Sequence, residues 1–322
     1  MSSHSSSSNA HSNPLKVRHF VNAADLTATE LRGIIDRAKA LKQANAGKGR
    51  GYIDPARPLA EKTLAMVFEK SSTRTRVSFE MAMHQLGGSS IVLQGSEMQL
   101  GRGETIADTA RVLSRYVDAI MIRSVNHSSV LEMAKFGSVP VINALTDRFH
   151  PCQMMADVMT FEEHRGPLKD KVITWVGDGN NMAATWIQAA VLFGCEFRIA
   201  CPPQYAPRAD ILAWAKERQG RIHVMEDPAI AVQGSDCVIA DTWISMGNTD
   251  GEARLKILQP YQVNDALMAK AKPDTLFMHC LPAFRGREVT TEVIDGPHSV
   301  VWDEAENRLH VQKAILLWCF GL

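Results

Sequence analysis

The sequence predicts an α/β fold: two doubly wound lobes, each built on a mostly parallel sheet, with the active site in the cleft between them. Three observations lead there. Apolar runs of strand length alternate with amphipathic runs of helix length along most of the chain, which is the pattern of repeated βαβ units. The 322 residues suffice for two domains of ordinary size, each able to bury its own core. Polar residues gather just after successive strand runs, where open α/β sheets hold their ligands.

Taken in order, residues 1–15 are rich in Ser, Asn and His, lack the apolar segment of a secretory signal, and read as a disordered tail. Apolar residues at Leu26, Leu31, Ile34, Ile35, Ala38 and Leu41 mark an amphipathic helix, with Thr27 or Thr29 near its start. A Gly/Pro-rich loop over 47–58 leads to a buried strand at 64–68. The segment 71–76, Ser-Ser-Thr-Arg-Thr-Arg, then opens a helix carrying Val77, Phe79, Met81, Ala82 and Leu86. Ser71, Ser72 or Thr73 suits its N-cap. Further strands are expected at 91–93, 119–123 and 139–143, with helices at 105–116 and 130–136 and a polar, Gly-containing loop over 94–104. Pro151, at a favourable first-turn position, opens a helix running to about residue 164. After a linker at 166–170 come strand 172–176, helix 181–193, strand 196–201, helix 209–218, strand 237–240, helix 266–271 and strand 276–279. A last strand is expected at 300–302 and a closing helix at 304–319. The division expected is a first domain over 16–150 joined by the helix 304–320, an interdomain helix at 151–166, and a second domain over 167–303.

Hydrophobic residues make up 45% and charged residues 22%, as in an ordinary soluble protein, and 35 Lys+Arg balance 35 Asp+Glu. This balance argues against nucleic acid or a membrane surface as the main partner, and no apolar run reaches the ~20 residues of a bilayer span. The cysteines at 152, 195, 201, 237, 280 and 319 form no Cys-x-x-Cys pair. That spacing points to a reducing, cytoplasmic compartment rather than a disulfide scaffold or zinc site.

The turn at 71–76 carries the first chemistry. A helix N-terminus presents unpaired backbone N–H groups and the positive end of the dipole, so an anion fits there. Hydroxyls from Ser72, Thr73 and Thr75 and guanidinium groups from Arg74 and Arg76 add charge-assisted hydrogen bonds of roughly 1.5–3 kcal/mol each. A capped surface helix with two solvated arginines is the plainer alternative. Further polar strand ends lie at Arg123, at His150 and Gln153, at 177–181 (Gly-Asp-Gly-Asn-Asn), at 241–247 beginning with Asp241, and at 279–282 (His-Cys-Leu-Pro). Singly each has a structural explanation; five in one cleft point to a site. The 177–181 turn lacks the third glycine of a dinucleotide fingerprint.

In order, Ser72-Thr73-Arg74-Thr75-Arg76 with Ser78-Phe79-Glu80, His150-Pro151-Cys152-Gln153, Asp241-x-Trp243-x-Ser245-Met246-Gly247 and His279-Cys280-Leu281-Pro282 resemble the carbamoyltransferases. The last two motifs resemble the ornithine branch. The resemblance spans about residues 16–320. It implies carbamoyl transfer from carbamoyl phosphate to L-ornithine, giving L-citrulline and phosphate, with arginine biosynthesis as the setting. It implies that Ser72, Thr73, Arg74 and Thr75 grip the phosphate, with Gln99 reaching it from a neighbouring subunit. Arg123, His150, Pro151, Cys152, Gln153 and Arg308 would surround the carbamoyl group. Asn181, Asp241, Ser245, Met246, Cys280 and Leu281 would bind the amino acid, with Arg74, Arg123, His150 and Cys280 forming the catalytic set. It also implies a cis Leu281–Pro282 bond and a homotrimer, or a multiple of it, with shared sites. No metal or organic cofactor is called for.

The chemistry requires a polarised carbonyl, a stabilised leaving phosphate and a neutral amine. Arg123 and His150 suit the first and Arg74 with the helix terminus the second. A free alkylammonium of pKa near ~10.4 costs about 4.6 kcal/mol to deprotonate at pH 7, which desolvation in a closed site reduces. Asp241 reads as a binder of the α-amino group or an orienter of Cys280. Three rivals remain: a sister transferase with another amine acceptor, a two-lobed nicotinamide oxidoreductase, and a non-catalytic paralogue.

Overall fold

The computed structural model describes residues 17–95, 98, 103–244 and 250–322. The first sheet has the order β2–β1–β3–β4, formed by β1 (Thr63–Phe68), β2 (Ser89–Gln94), β3 (Ala119–Arg123) and β4 (Val141–Leu145), with every pair parallel. Its helices are α1 (Ala28–Ala44), α2 (Thr73–Gln85), α3 (Ile106–Leu113) and α4 (His127–Phe136). Thr27 caps α1 in a reciprocal box: its hydroxyl accepts from the Glu30 N–H, and the Glu30 carboxylate accepts from the Thr27 N–H at 2.8 Å.

Helix α5 (Pro151–Arg165) leads to the second sheet, order β7–β6–β5–β8–β9 and again all parallel. Its strands are β5 (Val172–Val176), β6 (Glu196–Ala200), β7 (Ile222–Met225), β8 (Cys237–Ala240) and β9 (Leu276–His279). Around it lie α6 (Asn181–Phe193), α7 (Ala209–Glu217), α8 (Pro228–Ala231), α9 (Gly251–Leu258), α10 (Asp265–Met268) and α11 (Thr291–Ile294). The closing helix α12 (Val301–Phe320) returns to pack along α1, α2 and α5. Helix α5 is buried at every residue from Pro151 to Glu162, so it has no solvent face over that length. It packs on β4, α6 and α12, and one apolar core continues through both sheets.

The expected alternation holds, with strands 119–123, 172–176 and 276–279 and helix 181–193 bounded as read from the sequence. One element is corrected: residues 300–302 are not a strand. Ser299 makes a single bridge to Phe277, and Val301 already begins α12, with Asp303 and Glu304 in its first turn. Acidic residues there complement the helix dipole, and apolar Val300 and Val301 are buried as helix entry rather than as sheet. β7, α8, α9 and α11 were not anticipated. β7 is a four-residue edge strand with two exposed positions, too short for a periodic signal.

Register places the functional ends. Phe68 pairs with Arg123, so the turn after β1 lies beside the end of β3, and the Glu69 N–H donates to the Arg123 carbonyl at 3.0 Å. In the second sheet Val176 pairs with Ala240 and Ala240 with His279, which sets Gly177, Asp241 and Cys280 side by side at one edge. In both sheets the chain order reverses here, between β1 and β3 and between β5 and β8, the switch points where α/β sheets hold ligands. Among the described residues no helix is long and apolar enough to cross a membrane.

Candidate active site

The turn after β1 forms the cap expected of it. Ser72 is the N-cap of α2, its hydroxyl accepting from the Thr75 N–H at 3.3 Å, while Thr73 and Arg74 are exposed at the helix tip. The buried Thr75 hydroxyl accepts from two guanidinium groups, Arg123 Nη1 and Arg308 Nη2, each at 3.4 Å. Those residues come from β3 and α12, so one hydroxyl joins three distant stretches of chain.

Arg123 and Arg308 are buried, each with an Nε that finds no partner among the described residues. Burial, with the Arg308 and Arg74 charges nearby, pulls the Arg123 guanidinium down to about 10, so it remains a cation at neutral pH. Burial also lowers Arg308. Beside them His150 caps α5, and its N–H donates to the Thr185 hydroxyl at 2.9 Å. Burial and the three cations Arg308, Arg123 and Arg74 hold its imidazole well below the usual range, so it is neutral, and its Nδ1 lacks a partner among the described residues. The Gln153 amide oxygen accepts from Arg308 Nη1. Because that oxygen faces a cation, the amide orientation is fixed, and the Gln153 NH2 donates to Asp157 at 2.8 Å and Glu304 at 2.9 Å. The result is a cation-rich cradle with unpartnered buried polar atoms, suited to an anion and a polarised carbonyl.

Pro151 is the buried first residue of α5. The Cys152 thiol donates to the Asn143 carbonyl at 3.4 Å, and burial, outweighing the nearby Arg308 charge, raises it to about 12. It is an inert, packed thiol.

The second sheet contributes the other wall. Cys280 donates from its thiol to Asp241 Oδ1 at 3.2 Å, and the other Asp241 oxygen accepts from Asn180 at 2.8 Å. Burial and the Asp241 charge push the Cys280 thiol well above its ordinary range, so it is not a thiolate nucleophile. Leu281 takes a positive φ of 57° before a cis bond to Pro282, and its N–H donates to His279 Nδ1 at 2.9 Å. Asn181 begins α6 and reaches across to the first lobe, its amide donating to the Thr146 carbonyl at 2.7 Å. Gly179 has a backbone reason for its identity: a Cβ there would lie 2.5 Å from the Pro207 nitrogen. The ligand atoms of Asp241, His279 and Cys280 lie within 4.8 Å of one another, but His279 Nδ1 already accepts from the Leu281 N–H and the Cys280 thiol donates to Asp241, which fits a hydrogen-bonded set better than a metal cage.

The two walls meet. Cys280 is close enough to Arg123 and Arg308 to act on them electrostatically, and the Glu304 carboxyl spans from Gln153 to the His279 N–H, the latter at 2.9 Å. Of the residues expected in the site, Gln99, Ser245 and Met246 lie outside the described residues. Asn180 falls in the 177–181 turn singled out in the sequence, though no role was given to it there; Thr185, Asp157 and Glu304 were not anticipated. The last two had a signal: each sits four residues from an expected site residue on one helix face, Asp157 from Gln153 and Glu304 from Arg308.

Two family models match the chain. The aspartate/ornithine carbamoyltransferase carbamoyl-P binding domain covers residues 18–163, and the Asp/Orn binding domain of the same family covers residues 169–319. An ornithine carbamoyltransferase of Rhodopseudomonas palustris (strain BisA53) is 60% identical over 305 residues, 94% of this chain and 97% of its own. Among solved structures, ornithine carbamoyltransferase from Pyrococcus furiosus superposes with a TM-score of 0.87 at 49% identity, covering 93% of this chain and 96% of that one. The anabolic enzyme of the same name from Campylobacter jejuni gives 0.87 at 36% identity, over 94% and 99% of the two chains.

Proposed function

Because the chain belongs to the aspartate/ornithine carbamoyltransferase family, we propose that it transfers the carbamoyl group of carbamoyl phosphate to the side-chain amine of L-ornithine, giving L-citrulline and phosphate. The observation that carries this reading is the convergence of Arg123, Arg308 and the α2 cap on Thr75, facing Cys280 and Asp241.

The phosphate of the donor binds at the α2 tip, where Ser72, Thr73, Arg74 and Thr75 supply N–H, hydroxyl and guanidinium donors. Gln99 of a neighbouring subunit completes this grip in a homotrimer. The carbamoyl oxygen takes hydrogen bonds from Arg123 and the neutral His150, and Arg308, positioned by Gln153, supports them. A neutral imidazole fits this role because it donates a hydrogen bond without adding another cation to three arginines. Ornithine lies against Asn181, Asp241, Ser245, Met246, Cys280 and Leu281. With Cys280 protonated and bonded to Asp241, these two orient the acceptor rather than attack. The amine, having released its ammonium proton to solvent as the site closes, adds to the carbamoyl carbon; the C–O bond to phosphate breaks, and the leaving phosphate takes the second proton from the newly bonded nitrogen.

The carbamoyl phosphate domain is residues 16–150 joined by α12, an assignment supported by the packing of α12 on α1, α2 and α5. Helix α5 connects it to an ornithine domain over 167–303. The setting is arginine biosynthesis in the cytoplasm. The decisive experiment incubates the protein with labelled carbamoyl phosphate and ornithine, putrescine, acetylornithine or aspartate. Citrulline formation is expected; reaction with another acceptor and not ornithine refutes the assignment.

A further inference from the structure

We propose that Glu304 is a positioning residue that, through a buried pair with Asp157, ties the carbamoyl phosphate side of the site to the 279–282 segment on the ornithine side. This inference rests on the carbamoyl transfer proposed above and deepens it.

Both carboxyls are 1% exposed. Their four oxygens each receive a donor: Asp157 takes Gln153 Nε2 at 2.8 Å and Trp186 Nε1 at 3.0 Å, and Glu304 takes Gln153 Nε2 at 2.9 Å and the His279 N–H at 2.9 Å. Both carboxyls accept from the one Gln153 Nε2, which sets them side by side in the core. The three surrounding donors, Gln153 Nε2, Trp186 Nε1 and the His279 N–H, are all neutral, so two adjacent buried carboxyls cannot both stay charged and the pair holds one proton. Burial raises both carboxyls, and the adjacent Asp157 charge raises Glu304 further, so Glu304 is the one that carries the proton.

The consequence is a chain of fixed contacts. Arg308 is held by the Gln153 oxygen, the Gln153 NH2 is held by both carboxyls, and Glu304 holds the backbone at His279, one residue before Cys280. Glu304 and Arg308 sit four residues apart on α12, so a shift of that helix moves both halves of the site together. Neither carboxyl is assigned to touch either substrate. Their effect passes through Gln153, Arg308 and the 279–282 backbone.

A protonated carboxyl accepts on both oxygens while donating. Glutamine keeps the shape and the donor but its nitrogen accepts nothing, so Glu304→Gln leaves one of Gln153 or His279 without its acceptor. The test compares wild type and Glu304→Gln by steady-state kinetics with each substrate varied, beside thermal melting. Loss of one such bond predicts about a tenfold fall in kcat/KM, seen for carbamoyl phosphate and for ornithine alike. A lowered melting temperature with unchanged kinetics overturns the proposal, since a merely structural residue behaves that way. A change confined to one substrate also overturns it. Should the variant not fold, infrared spectroscopy of the wild type decides. A protonated-carboxyl band at neutral pH is expected to shift when phosphate alone, or an ornithine analogue lacking the side-chain amine, binds. A missing band, or one indifferent to either ligand, refutes the pair's role. An inactive wild type refutes carbamoyl transfer itself, whereas an active one with an unaltered variant refutes only this inference.

Discussion

Thr75→Val isolates the hydroxyl on which two buried guanidinium groups converge. Valine keeps the β-branched shape and the helical rotamer preference, so the first turn of α2 survives and Ser72 still caps it through the residue 75 N–H. What disappears is the acceptor shared by Arg123 Nη1 and Arg308 Nη2 at 3.4 Å each. A hydrogen bond to a charged group contributes about 1.5–3 kcal/mol, and both contacts are long, so about 2 kcal/mol for the two together is the expected scale. At ~1.36 kcal/mol per decade that is roughly a 30-fold loss in kcat/KM for carbamoyl phosphate. Two buried cations also lose a shared acceptor, so the melting temperature falls as well. Initial rates of citrulline formation, with carbamoyl phosphate varied at saturating ornithine, measure the first effect. An unchanged kcat/KM, in a variant that melts as the wild type does, means the hydroxyl does not organise the arginines.

Three further substitutions probe the rest of the site and its support. Arg74→Ala removes the exposed guanidinium at the α2 tip, and carbamoyl phosphate affinity measured by calorimetry is expected to drop at least about tenfold with the fold intact; unaltered affinity removes Arg74 from the phosphate site. Cys280→Ser shortens the reach to Asp241 Oδ1, now 3.2 Å from sulfur, and is expected to raise the KM for ornithine several-fold while that for carbamoyl phosphate barely moves. His310 is buried on α12 with an Nδ1 unpartnered among the described residues, and burial, with Lys313, Lys42 and Arg50, lowers its imidazole to about 4. The unfolded chain therefore binds more protons between its ordinary 6.5 and about 4, and stability falls as pH drops through that window, by up to about 3 kcal/mol. Denaturant titrations across that window should show a shallower decline in His310→Gln than in wild type; parallel curves dismiss the linkage.

The parts of this site that could be read from the sequence are those set by local physics. Ser72 to Arg76 come after an apolar strand and precede a helical pattern, so cap, anion site and helix are visible in one continuous stretch. Arg123, Asp241 and His279 could be placed because a buried run of three or four apolar residues ends abruptly in a polar one. The Asp157–Glu304 pair is not legible in the sequence because its meaning depends on α5 and α12, which flank the second domain in the chain, packing together. Seen alone, Asp157 is one acid within a helix of mixed composition, and Glu304 is one of two acids in a helix's first turn. The mistaken strand at 300–302 has the same origin. Val300 and Val301 are apolar because they enter the core beside β9, and burial by a neighbouring strand looks the same in sequence as membership of the sheet.

The same tertiary fact explains how two lobes specify one reaction centre. Each sheet delivers polar strand ends to its own switch point, but nothing within either sheet fixes the distance between Thr75 and Cys280. That distance is set by the helices that belong to neither sheet. Helix α5 is buried over twelve consecutive residues, which makes it a poor place for tolerated drift, and α12 carries Arg308 to Thr75 and Glu304 to His279 from one rigid element. A substitution that tilted α12 without touching any polar group, such as Ile315→Ala in its buried face, would then impair both substrates together, whereas an equally destabilising cavity in β6, such as Ile199→Ala, would cost stability and spare the kinetics. Large-to-small changes of this kind cost about 2–5 kcal/mol wherever they fall. The difference between the two variants therefore measures positioning rather than packing, and equal kinetic losses in both would show that the helices do not set the geometry.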